Sequence, residues 1–151
     1  MILILALVSG KAYERHTARS LTQLSELVRA MRHIRGRIAT YLSPRSELFS
    51  GFESDELERV GFLSRIRDGK GLKSALEESG LLIPKDAVRC AAELFDGLGR
   101  GYKGEVLALA DSVIGECEAI LSRERESSPR DTRVVKTLLS CGALALIILI
   151  L

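Results

Sequence analysis

Two stretches of the chain carry residue types at spacings that could do chemistry. The first is the glycine run Gly97–Gly104 (GLGRGYKG), in which Gly99-Arg100-Gly101-Tyr102-Lys103-Gly104 spells G-x-G-x-x-G. Such a run cradles a pyrophosphate only when a strand leads into it within a βαβ unit. Here a helical pattern leads in and no strand run is visible, so the run reads as a turn between antiparallel helices. The second is an arginine series, Arg29, Arg32 and Arg35, at three-residue steps. On a helix this spacing forms one slanted ridge. Its ordinary reading is a solvated charged face; its functional reading is a docking surface for an acidic partner or an anionic lipid leaflet.

Other chemistries lack their residues. His16 and His33 have no ligand spacing, and Cys90, Cys117 and Cys141 form no C-x-x-C, so no metal site or disulfide framework is implied. Cys90 and Cys117 fall on apolar helix faces as buried thiols do. No nucleophile elbow, H-E-x-x-H or P-loop is present. The neighbouring acids Glu77 and Glu78 point to different helix faces. The expectation is a protein that is not an enzyme and uses no cofactor.

The elements that would position these residues are helical. Leu21, Leu24, Val28, Met31, Ile34, Ile38 and Tyr41 recur at three- and four-residue steps and predict an amphipathic helix over 21–42, closed by Ser43-Pro44. A shorter helix is expected from Asp55 to Arg67, with Ser54 as N-cap and Leu57, Val60, Leu63 and Ile66 inward. Another runs from Leu72 to Ser79 and closes on Gly80. Pro84 opens a helix to about Leu98. Val106, Ala110, Val113, Cys117 and Ile120 mark the inward face of a long helix from Glu105 to Ser127, widened by Leu107, Ile114 and Leu121. Ser128-Pro129 then reads as a helix restart, with serine as N-cap and proline at the first helical position.

The two ends are apolar. Leu138–Leu151 holds six Leu, three Ile and no charge. Those nine side chains favour a bilayer by about 3 to 5 kcal/mol. The run is about 21 Å long as a helix, or about 27 Å when extended back to Val134, against a hydrocarbon core of about 30 Å. Within it, Leu138, Leu144, Ile147 and Leu151 are the expected membrane-anchoring residues. Met1–Val8 (MILILALV) is also apolar; it reads as an interfacial anchor, a strand, or the second half of a membrane helix that begins upstream. Lys11, Arg15 and Arg19 follow it, and Arg130, Arg133 and Lys136 precede the C-terminal run. By the positive-inside rule the middle of the chain is cytoplasmic.

Charge is uneven as well. Residues 11–45 hold eight Lys/Arg and two Glu, hence +6, and the rest of the chain carries −4. A basic segment beside an apolar end suits anionic headgroups. With few aromatics and none among the arginines, nucleic acid is not an expected partner.

The fold class expected is all-α: a bundle of about five helices, with residues 1–10 as an apolar segment, 11–130 as a cytoplasmic helical domain and 131–151 as a transmembrane helix. In this order of parts, LTQLSELVRAMRHIRGRIATYLSP, ELFDGLG and KTLLSCGALALIILIL, the chain resembles the stage III sporulation protein AB family across nearly its whole length. Members of that family look like the inner-membrane platform protein of type II secretion. The resemblance implies a structural component of a secretion-like channel between mother cell and forespore, required for sporulation. It would sit in the mother-cell membrane, beside other channel proteins and a cytosolic secretion-type ATPase, with self-association compatible with that role. Ser127-Ser128-Pro129 departs from the family's continuous helix. The alternative is a soluble helical protein-binding module whose C-terminal helix is covered by a partner subunit.

Overall fold

A computed structural model describes residues 2–40, 47–98 and 101–150, and excludes from description the side chains of 2–11, 128–133, 135–136 and 138–150. The described residues form six helices and no strand: α1 (Ile2–Thr40), α2 (Asp55–Arg59), α3 (Phe62–Arg67), α4 (Leu72–Glu78), α5 (Lys85–Gly97) and α6 (Lys103–Ile150). The all-α expectation holds, with the helices divided differently: the one expected over 55–67 is two, and the two expected after Glu105 are one.

Helices α1 and α6 are the frame. They run antiparallel, since Arg32 meets Glu118, Arg35 meets Asp111 and the Lys103 ammonium donates to the Ala39 carbonyl at 2.6 Å. Their apolar stripes face each other: Leu24, Leu27, Met31 and Ile34 from α1, and Val106, Ala110, Val113 and Cys117 from α6, are all buried. Helices α2–α5 close the rest of the core around Phe62, which is fully buried, stacks on Phe95 at 6.2 Å and meets the edge of Phe49 at 5.9 Å. Gln23, one of few buried polar side chains, holds the strap before α5 by accepting the Leu82 N–H at 2.7 Å.

Four expectations change. The apolar start is helical from Ile2, not a strand, so α1 is one helix of 39 residues. The helix expected over 55–67 is divided: Gly61 sits at φ +77°, in the left-handed region, and starts α3 anew. The apolar positions 57, 60, 63 and 66 keep their inward register across that joint, which is why their spacing hides it. Ser54 does cap α2, accepting the Leu57 N–H at 3.4 Å. Gly80 is not a left-handed terminator; its N–H donates to the Val60 carbonyl at 3.1 Å, tying the end of α4 to the α2–α3 joint.

The fourth change is at Pro129, where no restart occurs and α6 runs 48 residues from Lys103 to Ile150. An interior proline removes one hydrogen bond, here the one to the Arg125 carbonyl, at about 3 kcal/mol. The turns on either side still add one bond per residue, so propagation outweighs one missing bond. The Ser127 hydroxyl donates to the Glu124 carbonyl at 3.2 Å in that same turn. The expected boundary between 130 and 131 therefore falls inside a continuous helix.

Tyr41 and the Ser43-Pro44 terminator lie outside the described residues, as does Leu151. Among the described residues no helix is long and apolar enough to cross a membrane. The side chains of Leu138, Leu144 and Ile147 belong to the part excluded from description.

Candidate functional site: the arginine ridge and the ends of the helix pair

The arginine ridge lies where its three-residue spacing puts it, along the outer edge of α1, while Ile34 is fully buried on the inner face. The ridge is engaged within the chain, which the sequence did not reveal. Arg29 pairs with Glu26 at 2.8 Å, donates to the Glu53 carbonyl at 2.5 Å and lies 5.1 Å from the Phe52 ring centre. The Arg32 guanidinium donates to Glu118 at 2.5 Å. Arg35 grips both oxygens of Asp111, at 2.6 and 3.0 Å. That fork-on-carboxylate geometry is the strongest form of such a pair. The Arg35 hydrogen bond, and then its charge, hold the Asp111 carboxyl below the usual aspartate range. Arg32 and Arg35 thus clasp α1 to α6 in one register.

The glycine run carries out a packing task. A Cβ on Gly97 would run into Leu109, so the glycine lets the end of α5 approach α6 closely. Gly99 and Arg100 lie outside the described residues. After them the Tyr102 N–H donates to the Glu105 carboxylate at 3.2 Å. That places an acid where a phosphate would need donors. Helix α5 precedes the run and α6 follows it.

Cys90 and Cys117, far apart in sequence, come together between α5 and α6 as free, buried cysteines. Burial, reinforced by the neighbouring Cys90 thiol, pushes the Cys117 thiol up to about 12. Burial and the Glu116 carboxylate, to which its thiol donates at 3.3 Å, push Cys90 up too. Neither is a thiolate at neutral pH, so neither has the nucleophilic form.

A cleft of about 1050 Å³ opens between the 49–55 loop, α3 and the start of α4. Its floor is Phe52, Leu63, Leu72 and Phe95, and its charged rim includes Glu58 hydrogen-bonded to Arg67. It contains no His or Cys. Among the described residues no group of His, Cys, Asp and Glu could hold a metal ion.

The remaining candidate is the far end of the helix pair. Counting from the Arg35–Asp111 pair, 27 residues back along α1 reach Val8 and 27 residues on along α6 reach Leu138. The two apolar runs therefore begin level with one another, about 40 Å from that pair. The basic triplets lie level as well: Arg15 is 20 residues from the pair and Arg133 is 22. Between core and apolar ends the facing positions turn polar: Glu14, Thr17 and Ser20 on α1, and Glu124 and Ser127 on α6, are only half-buried.

Compared with known protein families, curated proteins and solved structures, the chain matches none.

Proposed function

We propose that this chain is a membrane-anchored, non-catalytic scaffold whose helical head, residues 21–121, projects from the membrane and receives partner proteins. The observation that carries this reading is the register of the helix pair: two apolar runs, Ile2–Val8 and 138–150, lie level at the same end, and cations stand on the head side of both. A run of nine Leu and Ile residues needs an apolar surround, and a bilayer supplies one without a cognate protein. In the sporulation reading, the head lies in the mother-cell cytoplasm within a secretion-like channel to the forespore, with a secretion-type ATPase as its soluble partner. The likeness of parts named above supports that setting. The arginine ridge enters in a narrower form. Each guanidinium already has an internal acceptor, so an acidic partner must share Arg29, Arg32 and Arg35 with Glu26, Glu118 and Asp111.

The test is membrane sedimentation after alkaline carbonate extraction. The wild-type chain should remain in the pellet. Leu144→Arg with Ile147→Arg adds about 2.5 to 3.5 kcal/mol of insertion cost each, more than the run gains, and should release it. A wild-type chain freed by carbonate, and monodisperse without detergent only in complex with another subunit, would favour the soluble binding module instead.

A further inference from the structure

Two of the four large apolar side chains exposed among the described residues, Tyr13 (39 %) and Val134 (53 %), lie level on the helix pair. Tyr13 is 22 residues from the Arg35–Asp111 pair along α1, and Val134 is 23 along α6. The basic residues share this level. Lys11, Arg15 and Arg19 step by four along α1; Arg130, Arg133 and Lys136 step by three along α6. Either spacing gathers three cations into one stripe on its helix. Arg15 and Arg19 are exposed, and neither has an ion-pair partner among the described residues. Each arm carries three cations and one acid, Glu14 on α1 and Asp131 on α6, so the level is +2 on each arm and +4 in all. Glu124 and Glu126 follow nearer the head.

A tyrosine at the same level as six Arg and Lys positions, next to the apolar runs, has the composition of a headgroup layer contact. Among the described residues Arg15 and Arg19 have no ion-pair partner, in contrast to the arginine ridge, so their charge is available outward. From these placements we infer that residues 11–19 and 130–136 form a collar that binds the phosphate groups of anionic phospholipids, with Tyr13 and Val134 seated at the base of the headgroups. The inference rests on the membrane reading above and adds lipid selectivity to it. Free inorganic phosphate offers the same anion without the surface, and the surface is what multiplies the contacts.

The experiment is flotation of the full-length chain with vesicles of phosphatidylcholine alone, or of phosphatidylcholine with 30 % phosphatidylglycerol. The variant is Arg15→Gln, Arg19→Gln, Arg130→Gln and Arg133→Gln, with helicity and melting measured alongside. Each basic residue at an anionic surface is worth about fivefold in partitioning, so the anionic vesicles should be preferred by tenfold or more. The variant should lose that preference and keep its binding to phosphatidylcholine. The preference should shrink as salt rises from 0.1 M to 1 M, where the Debye length falls from about 10 Å to about 3 Å. Millimolar inorganic phosphate at matched ionic strength should not displace the chain. Equal partitioning to both vesicles, an undiminished preference in a folded variant, or displacement by free phosphate overturns the collar and leaves the anchor standing. Absence of binding to either vesicle overturns both. Should the fourfold variant misfold, Arg15→Gln with Arg19→Gln alone is the substitute, and a preference reduced less than about threefold counts against the collar.

Discussion

The same two helices are held together in two different ways along their length. In the head, α1 presents Leu24, Leu27, Met31 and Ile34 to Val106, Ala110, Val113 and Cys117, and every one of these side chains is buried. In the arms, the positions that continue those stripes are Glu14, Thr17, Ser20, Glu124 and Ser127, and they are only half-covered. Burial of apolar area contributes about 25 cal/mol per Å², so the head is held together by its own seam while the arms gain little from touching. Even the hydroxyls of the arm turn inward on their own helix: Thr17 donates to the Tyr13 carbonyl at 3.0 Å, four residues back. The contrast teaches that the outer parts of α1 and α6 depend on their surroundings, and that the head supplies the fixed register that brings the two apolar runs level.

Substitutions along the seam should show this gradient most strongly. Ile34→Ala, at a fully buried head position, should cost about 2 to 5 kcal/mol in chemical denaturation. Thr17→Ala, at the matching arm position, should stay within about 0.5 kcal/mol. Similar losses at both sites would mean that the arms are part of the cooperative core.

Pro129→Ala sharpens the same contrast from the other side. It restores the hydrogen bond to the Arg125 carbonyl, so local opening at 125–129 should become harder by up to about 3 kcal/mol. Amide hydrogen exchange should slow there while the global melt of the head stays in place. A global rise in stability of that size would couple arm and head.

Within the head, Gly61→Ala tests the joint between α2 and α3. The left-handed backbone at Gly61 alone should cost about 1 to 2 kcal/mol for a side-chain-bearing residue. Gly69 has φ +84° and open space around it. The Arg65 guanidinium stands where an alanine methyl at Gly61 would go, so Gly61→Ala should exceed Gly69→Ala in cost. Equal costs would show that Arg65 moves aside freely.

The smallest effect belongs to the clasp. Asp111 is held below its ordinary range by Arg35, so its contribution is present above that range and is lost as pH falls through the depressed native value. The head's melting temperature should therefore fall on acidification, and Asp111→Asn should flatten part of that slope. Both partners are exposed, so the change should be small and should weaken with salt. An unchanged slope in the variant would leave Arg35–Asp111 with no part in the acid response.

Much of the head was legible from residue types because three- and four-residue steps of Leu, Val, Ile and Met fix which face turns inward. Ser54 as a cap and Pro84 before α5 were legible for local reasons too. Three local signals point elsewhere, the first being Gly80, which ties to the Val60 carbonyl and is not a left-handed terminator. Gly61 leaves no mark in the apolar pattern, since a step of three crosses the joint unbroken. Pro129 points to a restart in the sequence, yet a proline that opens one helix and one that interrupts another look alike without the turns around it. What no local pattern could supply was pairing across the chain. Arg35 with Asp111, Arg32 with Glu118, and Cys90 beside Cys117 all depend on the register of distant helices. That register also turned two separate apolar ends into one candidate anchor.

The central claim is that both apolar runs enter the bilayer together while the head stays out. The chain has no tryptophan, so single reporters give an unmixed signal. Leu5→Trp, Ile147→Trp and Tyr102→Trp, the last at a fully solvated head position (84 % exposed), would each be reconstituted in vesicles with brominated acyl chains. The account predicts strong and similar quenching at 5 and 147 and none at 102; an unquenched reporter at either 5 or 147 in the vesicle-bound protein would contradict it.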